Sequence, residues 1–330
     1  MLGGLCGSAS SAARLQKALR HLQATSAHPS STAPTDSSRL KLPRRIIDCH
    51  LHFWDSRRQE HPWPRTGSSL LESHPVALPG QVRAVCPPEV IGTVVVEAVY
   101  KPADNRWCLD MSDADDFILG LVGKLDPSSS TFHEELQSFA AHKRFVGIRL
   151  GAEELFSAEN AGVGVLRALA DLDLQLDFAG DCADVGRLLP LLDAVPELRV
   201  VLNHCANPRF TPGAAPAPEW AQAMRAAGHH AAVFVKVSAL VSMCPDQVTS
   251  EAPTTVAPYQ SHLDLLWEAF GPERLIYGSD WPVCTNFGPT AEIYRSQLAL
   301  LHEWAASRGP EAIEQLFFKN ALLAYKVKLR

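Results

Sequence analysis

Two histidines separated by one residue lie in the first strongly apolar run of this 330-residue chain, where residues 46–52 read IIDCHLH. Alternate side chains of a β-strand point to the same face, so His50 and His52 would face one site, about 7 Å apart along the strand. Neutral imidazoles bind divalent metals and exchange protons near neutral pH. A pair of this kind is more often structural than functional, so its chemistry depends on partners from elsewhere in the chain.

A third histidine and an acid stand at the ends of two later apolar runs. His204 lies in residues 203–208, which read NHCANP, and Asp280 lies in residues 277–282, which read YGSDWP. Alone, a strand histidine is usually a hydrogen-bonded core residue, and an aspartate before a turn is usually a helix cap. If the runs are parallel strands that close into a barrel, their carboxyl ends share one rim, and all four residues meet there.

Three imidazoles and one carboxylate suit the addition of water to a carbonyl group in either of two ways. In one, His50, His52, His204 and Asp280 hold a Zn²⁺ ion that polarises the carbonyl and lowers the pKa of water. In the other, no metal is bound, the histidines polarise the carbonyl directly, and Asp280 accepts the proton of the attacking water. Both use the same four residues, so the sequence leaves the metal open.

The elements that would position these residues alternate along the chain. Eight apolar runs cover residues 44–52, 91–99, 117–126, 145–151, 172–179, 198–206, 232–240 and 274–280. Several are nearly continuous in Val, Ile and Leu, which is typical of strands buried on both faces of a parallel sheet. Apolar residues at three-to-four spacing predict helices at 162–171, 183–195, 220–229 and 293–304.

This alternation predicts an α/β fold, a (β/α)₈ TIM barrel formed as a single domain by residues 44–328. The alternative is a doubly wound open sheet. That fold usually binds a nucleotide through a glycine-rich turn after its first strand, but here the His-Leu-His segment occupies that place.

Five more residues near predicted strand ends are candidates for substrate binding: Arg149, Trp54, Lys124, Lys236 and Trp281. An arginine at a strand end suits a carboxylate or hydroxyl-rich substrate, although structural pairing with an acid is equally compatible. Buried lysines require a partner, and tryptophans at the mouth of a barrel either form an aromatic wall or only close the mouth.

The motifs resemble the amidohydrolase superfamily, and within it the sugar-lactone and dicarboxypyrone lactonase branch, over residues 44–328. The resemblance rests on HLHFWD at 50–55, GIR at 147–149, the histidine at 204 followed by Pro208, and GSDWP at 278–282. It implies a distorted TIM barrel in which water attacks a carbonyl. It also implies that the histidines and the last-strand aspartate bind one or two divalent metals, often with a carboxylated lysine on strand four.

Two departures from the family pattern affect these implications. Arg149 occupies the fourth run in place of the lysine, which argues against a bridged two-metal site. The lactonase branch usually reads Asp-His-x-Gly-Lys-Pro at strand six, whereas residues 203–208 lack the lysine, so the substrate stays open. Members of this branch also work without metal, so both a zinc enzyme and a metal-free enzyme remain compatible with the resemblance.

The predicted function is hydrolysis of a sugar lactone or a related cyclic ester. The alternative within the family is a metal-dependent decarboxylase of an aromatic or unsaturated acid, and the alternative of another class is a non-catalytic barrel that binds a small molecule. A cysteine hydrolase is disfavoured, because strand alternation points Cys49 and Cys205 away from the histidines beside them.

Composition limits the partners. The net charge is −6, with no Lys/Arg block in the body of the chain, which argues against nucleic acid and favours a small-molecule substrate. Eight cysteines without a CxxC pair favour a reducing compartment. No apolar run approaches the roughly 18 residues that a membrane span needs. The oligomeric state stays open.

The leader, residues 1–43, differs from the rest of the chain. It contains no acid up to Thr35, is rich in Ser, and places leucines 15, 19 and 22 on one face of a possible helix. This pattern predicts a transit peptide for a chloroplast or mitochondrion. The alternative is a slightly basic, disordered tail on a cytoplasmic protein.

Overall fold

Ten strands form two sheets in the computed structural model, which describes residues 42–58, 63–99, 101–157, 161–208, 210–211, 213–243, 254–287 and 290–329. The strands are β1 Ile46–Leu51, β2 Trp54–Asp55, β3 Val76–Ala77, β4 Val90–Val96, β5 Ile118–Gly123, β6 Phe145–Gly151, β7 Gln175–Ala179, β8 Val200–Leu202, β9 Val233–Val237 and β10 Leu275–Tyr277. β2 and β3 pair with each other in antiparallel fashion.

The other eight strands form one parallel sheet in the order β1-β4-β5-β6-β7-β8-β9-β10. The first and last strands of this order meet through the segment after β10. The Asp280 amide donates to the His50 carbonyl at 2.8 Å, and the His52 amide donates to the Trp281 carbonyl at 2.9 Å. The sheet therefore nearly closes into a barrel, and the predicted (β/α)₈ fold is confirmed.

Helices connect the strands. They are α1 Ser69–Ser73, α2 Pro79–Val85, α3 Pro102–Ala114, α4 Phe132–Ala140, α5 Ala152–Phe156, α6 Ala161–Asp171, α7 Cys182–Leu192, α8 Pro218–Gly228, α9 Gln260–Phe270, α10 Thr290–Ala306, α11 Pro310–Glu314 and α12 Asn320–Tyr325. The four helices predicted from apolar spacing correspond to α6, α7, α8 and α10. Local capping supports some of these boundaries: the Asp181 side chain accepts from the amides of Ala183 and Asp184 at the start of α7.

Every apolar run overlaps a barrel strand, but β4, β5, β8, β9 and β10 end three or four residues before the predicted boundary. Two of these ends lead to His204 and Asp280. β8 stops at Leu202 and β10 stops at Tyr277. Beyond each end, residues with positive φ angles turn the chain out of the sheet: 50° at His204 and 60° at Asp280. Apolar patterning could not predict this change of backbone direction, because the spacing of apolar residues does not specify φ angles.

The buried core has two parts. The larger cluster joins strand residues to the surrounding helices. The second joins Ile47, Val94, Val201 and Ile276 to the C-terminal residues Phe318, Ala321, Ala324, Tyr325 and Val327. The C-terminal segment therefore packs against barrel strands and contributes directly to the core.

The chain divides into two units, Met1–Lys41 and Leu42–Arg330. Residues 1–41 lie outside the described residues, so the predicted transit peptide stays a prediction. Among the helices of the described residues, none combines the length and the apolar character that crossing a membrane requires.

Candidate active site

The barrel brings together the four residues predicted to do chemistry. His50 is in β1 and His52 directly follows it, His204 comes two residues after β8, and Asp280 comes three residues after β10. The Nε2 atoms of His50 and His52 lie 3.2 Å apart. Oδ1 of Asp280 lies 3.7 Å from each of these two nitrogens and 4.0 Å from Nε2 of His204. One carboxylate oxygen therefore faces three imidazoles.

The turn after β8 places His204 by an unusual backbone path. Four consecutive non-glycine residues, from His204 to Asn207, have φ angles between 48° and 56°. Such angles are costly for residues with a Cβ and persist only where surrounding contacts fix them. Here the indole of Trp220 donates to the Cys205 carbonyl at 2.8 Å, and the Asn207 amide group donates to the Gly180 carbonyl at 3.1 Å.

The turn after β10 lies directly against the histidine strand. A Cβ atom added at Gly278 would come within 2.7 Å of the His50 Cβ atom, so only glycine allows the two segments to approach so closely. Two residues later the chain reaches Asp280. Close packing against His50 thus explains why the GSDWP motif has a glycine at position 278.

Hydrogen bonds define the protonation of His52. Its Nδ1 atom lies 3.0 Å from the Val96 carbonyl and 3.1 Å from the Glu97 carbonyl. Carbonyl oxygens only accept, so Nδ1 carries the proton and donates, and the neutral ring presents the lone pair of Nε2 to the site. His52 is therefore prepared to act as a ligand.

The other two histidines differ in whether their Nδ1 atom has a hydrogen-bond partner. Nδ1 of His204 lies 2.8 Å from the Ser238 hydroxyl, which can donate or accept. Nδ1 of His50 is buried and has no hydrogen-bond partner among the described residues. The orientation of His50 therefore depends on packing and on what its Nε2 atom contacts.

Burial keeps these imidazoles uncharged at neutral pH. It lowers the pKa of His52 to about 3 and that of His204 to about 4, and it places the pKa of His50 well below its ordinary value. The nearby positive charges of Lys236 and Arg149 also lower the pKa of His50. Burial raises the pKa of Asp280, against the opposing effects of His204, Arg149 and Lys236.

The donor set fits a divalent metal. Ligand atoms of His50, His204 and Asp280 all lie within 4.8 Å of one another. Tetrahedral zinc with bonds of about 2.0–2.1 Å separates its ligands by about 3.3 Å, close to the observed spacings. In addition, the close approach of Nε2 of His50 to the lone pair of His52 needs either a proton or a cation between them. These residues could therefore hold a zinc ion.

Arg149 in β6 reaches the same site and has a firm partner. Its Nε atom donates to Oε1 of Glu97 at 2.8 Å, and its Nη2 atom donates to the Glu97 carbonyl at 3.0 Å. The same carbonyl faces Nδ1 of His52. Glu97 thus connects the guanidinium group of Arg149 to the histidine pair.

Comparison with known proteins identifies the family. The family model described as "Amidohydrolase" matches residues 47–327. The L-fucono-1,5-lactonase of Burkholderia ambifaria is 30% identical over 299 residues, which cover 85% of this chain and 95% of that protein. The chain belongs to the amidohydrolase family. The resemblance inferred from the motifs, and the prediction that the protein is a hydrolase of this superfamily, are thereby confirmed.

Two further relatives extend the comparison. The L-fucono-1,5-lactonase of Burkholderia multivorans is 27% identical over 271 residues, which cover 79% of this chain and 89% of that protein. A solved amidohydrolase of Burkholderia multivorans with bound zinc superimposes with a TM-score of 0.74 at 21% identity, over 86% of this chain and all of that chain. The structural likeness supports the barrel fold.

The two lysines that the sequence singled out both pair with carboxylates in this amidohydrolase. Nζ of Lys124, just after β5, donates to Oε2 of Glu154 at 2.6 Å. Nζ of Lys236, in β9, donates to Oδ2 of Asp177 at 2.6 Å, and both side chains are fully buried. The Lys236 pair therefore has the character of a buried structural ion pair, whereas Lys124 lies closer to the surface.

The two tryptophans that are candidates for substrate binding are both buried. Trp54 donates from its indole nitrogen to the His74 carbonyl at 2.7 Å, and Trp281, in the segment after β10, forms a parallel bridge with Leu51 of β1. The half-buried Trp63, which sequence reasoning missed, contacts the His52 ring edge-on at a centroid distance of 5.0 Å. An aromatic wall beside the histidines is thus better placed at Trp63.

Neither cysteine beside the histidines suits nucleophilic catalysis. Burial raises the pKa of Cys205 to about 12 and places that of Cys49 well above its ordinary value. Their thiols face the backbone carbonyls of Lys236 and Ile47. Protonated, buried thiols are poor nucleophiles, which supports the predicted exclusion of a cysteine hydrolase.

Sequence reasoning also missed Asp48, Glu97 and Ser238. Glu97 and Ser238 each come directly after a barrel strand, so a search of every strand end for polar residues would have found them. Asp48 lies inside β1 and is fully buried. In the sequence, Asp48 could have been found as an acidic residue within an apolar run, two residues before His50.

Proposed function

We propose that this amidohydrolase hydrolyses a sugar lactone, adding water to the carbonyl carbon of the cyclic ester and releasing the open hydroxy acid. The observation that carries the proposal is the approach of one Asp280 oxygen to three uncharged imidazoles. A buried base beside neutral nitrogen ligands is what water activation requires. The substrate class comes from the two relatives named L-fucono-1,5-lactonase.

Asp280 acts as the general base and then as the general acid. Its carboxylate accepts a proton from the attacking water, and the same group returns the proton to the ring oxygen as the ester bond breaks. Burial raises its pKa, which strengthens the carboxylate as a base for the first step. Arg149, which is held beside the histidines by its contacts with Glu97, binds a substrate oxygen through its guanidinium group.

The histidines would hold a divalent metal, and zinc fits this donor set. His52 supports this assignment, because its only N–H donates to backbone carbonyls and cannot donate to a substrate carbonyl. His50 and His204 supply the other nitrogens, and Asp280 supplies an oxygen. When bound, zinc would polarise the carbonyl and lower the pKa of water.

A lactone panel tests the proposal. Purified protein would be assayed for acid release from L-fucono-1,5-lactone, other sugar lactones and 2-pyrone-4,6-dicarboxylate, with bound metal measured on the same sample. Sugar lactones also open spontaneously, so the Asp280→Asn variant provides the background rate. Acid release well above this background is expected. Release of CO₂ from an aromatic acid, with no lactone opened, would instead identify a decarboxylase.

A further inference from the structure

The buried carboxylate of Asp48 accepts hydrogen bonds from three donors, and the proposed reaction gives it no role. Oδ1 accepts from the backbone amide of Ser279 at 2.9 Å and from that of His50 at 3.2 Å. Oδ2 accepts from the hydroxyl of Tyr294 in α10 at 2.8 Å. The side chain is fully buried, so these bonds replace the hydration that the carboxylate would otherwise have. Asp48 therefore links the histidine strand, the turn after β10 and a helix.

The turn that Asp48 contacts directs Asp280. Asp280 has a φ angle of 60°, a costly conformation for a residue with a Cβ. The preceding Ser279 is held on several sides: its amide by Asp48, its carbonyl by Gln297 at 3.3 Å, and its hydroxyl by the Trp281 amide at 3.0 Å. Without such contacts, the backbone would relax toward a negative φ angle and carry the Asp280 carboxylate away from the histidines.

We propose that Asp48 is a positioning residue which, with Tyr294, holds the Ser279–Asp280 turn so that the Asp280 carboxylate faces His50, His52 and His204. The proposal rests on the catalytic role given to Asp280 above. Asp48 is fully buried, and its hydrogen bonds go to two backbone amides and to Tyr294, not to the Asp280 carboxylate. It acts through the backbone of two segments, because its Oδ1 atom accepts from the amide of His50 in β1 and from the amide of Ser279 in the turn after β10.

The chain offers a matched pair of variants. Tyr294→Phe removes one of the three hydrogen bonds to Asp48 and keeps the aromatic ring. Tyr325→Phe removes a similar buried bond, from a phenol to a different carboxylate, that of Asp177, at 3.1 Å. Asp48→Asn and Asp48→Ala complete the series. The amide of asparagine retains one oxygen that can accept from the two backbone amides, whereas alanine accepts nothing.

Kinetics would separate positioning from stability. Well below the melting temperature, we expect Asp48→Ala to lower kcat about 100-fold and Tyr294→Phe about 10-fold, with KM nearly unchanged, because small displacements of a catalytic group are costly. Asp48→Asn should recover part of the loss. Tyr325→Phe should lower the melting temperature without lowering kcat. Equal melting shifts in the two tyrosine variants, with unchanged kcat in both, would overturn the proposal.

A second readout does not depend on activity. Crystal structures of the wild-type protein and of Asp48→Asn and Tyr294→Phe would give the φ angle of Asp280 and the distances from its carboxylate to the three histidines. We expect both variants to show a displaced or multiply occupied carboxylate. A turn identical to that of the wild type in both would contradict positioning. If the wild type opens no lactone, the proposed function fails, and these distances still decide the role of Asp48.

Discussion

The hydroxyl oxygen of Ser238 lies 2.8 Å from Nδ1 of His204. Ser238 follows β9 and His204 follows the neighbouring strand β8. The end of one strand therefore holds the Nδ1 side of the histidine ring at the end of the next. A partner on the far nitrogen of a ligand histidine sets its orientation and its tautomer.

Ser238→Ala should therefore weaken the site without unfolding the barrel. We expect kcat/KM for the lactone, or the affinity for zinc, to fall about 10-fold, since partners of this kind are typically worth 10–100-fold. The control is Ser242→Ala, because the Ser242 hydroxyl donates to the backbone carbonyl of Ala239 at 2.9 Å and to no other partner among the described residues. Equal kinetics in the two variants would show that Ser238 does not orient His204.

Asp280→Asn should remove the base while preserving the size of the side chain. We expect kcat to fall about 10² to 10⁴-fold with a nearly unchanged melting temperature, because an amide cannot take the proton of water. Steady-state kinetics and thermal unfolding on one preparation would check this. A lower melting temperature with unchanged turnover would assign Asp280 a purely structural role.

Arg149→Lys should affect binding more than turnover. Lysine keeps the positive charge but loses the planar fork that contacts Glu97 through both Nε and Nη2. We expect KM for the lactone to rise about 10-fold with a smaller change in kcat. Arg187→Lys, at an arginine whose side chain is 59% exposed, is the control. A KM equal to that of this control would exclude Arg149 from substrate binding.

The Lys236–Asp177 pair should contribute to folding and not to substrate binding. Lys236→Met leaves the carboxylate of Asp177 buried, with the Tyr325 hydroxyl as its remaining hydrogen-bond donor among the described residues, which we expect to cost about 3–5 kcal/mol in the free energy of unfolding. The double variant Lys236→Met, Asp177→Leu should recover much of this loss. Chemical denaturation measures both. A stable Lys236→Met protein with a raised KM would restore the sequence-based assignment to substrate binding.

His262 in α9 should make stability depend on pH in the acid range. Burial against Phe210 and Trp220 lowers its pKa to about 4, from an ordinary value of 6.5. Between these pH values the unfolded chain binds the proton more readily, so stability is full above pH 6.5 and falls as the pH drops toward 4. The total effect is at most about 3 kcal/mol. His262→Phe should therefore show a shallower decline in unfolding free energy between pH 6.5 and 4, and an equal decline would contradict this.

Local sequence was sufficient to predict the barrel and the central residues. The eight apolar runs located every barrel strand, because burial on both faces demands continuous Val, Ile and Leu. The two-residue period of a strand placed His50 and His52 on one site, and their Nε2 atoms do lie 3.2 Å apart. His204 and Asp280 could be added because the carboxyl ends of barrel strands share one rim.

Only the tertiary structure decided what surrounds these residues. Asp48 accepts from Tyr294, 246 positions along the chain, and Lys236 pairs with Asp177, 59 positions away. No local pattern specifies such partners, since a buried charge needs a partner but the sequence does not say which strand provides it. The positive φ angles at His204 and Asp280 remain uncommon, although histidine and aspartate adopt them more often than most residues with a Cβ. Contacts from distant segments hold them, and those contacts exist only once the barrel has closed.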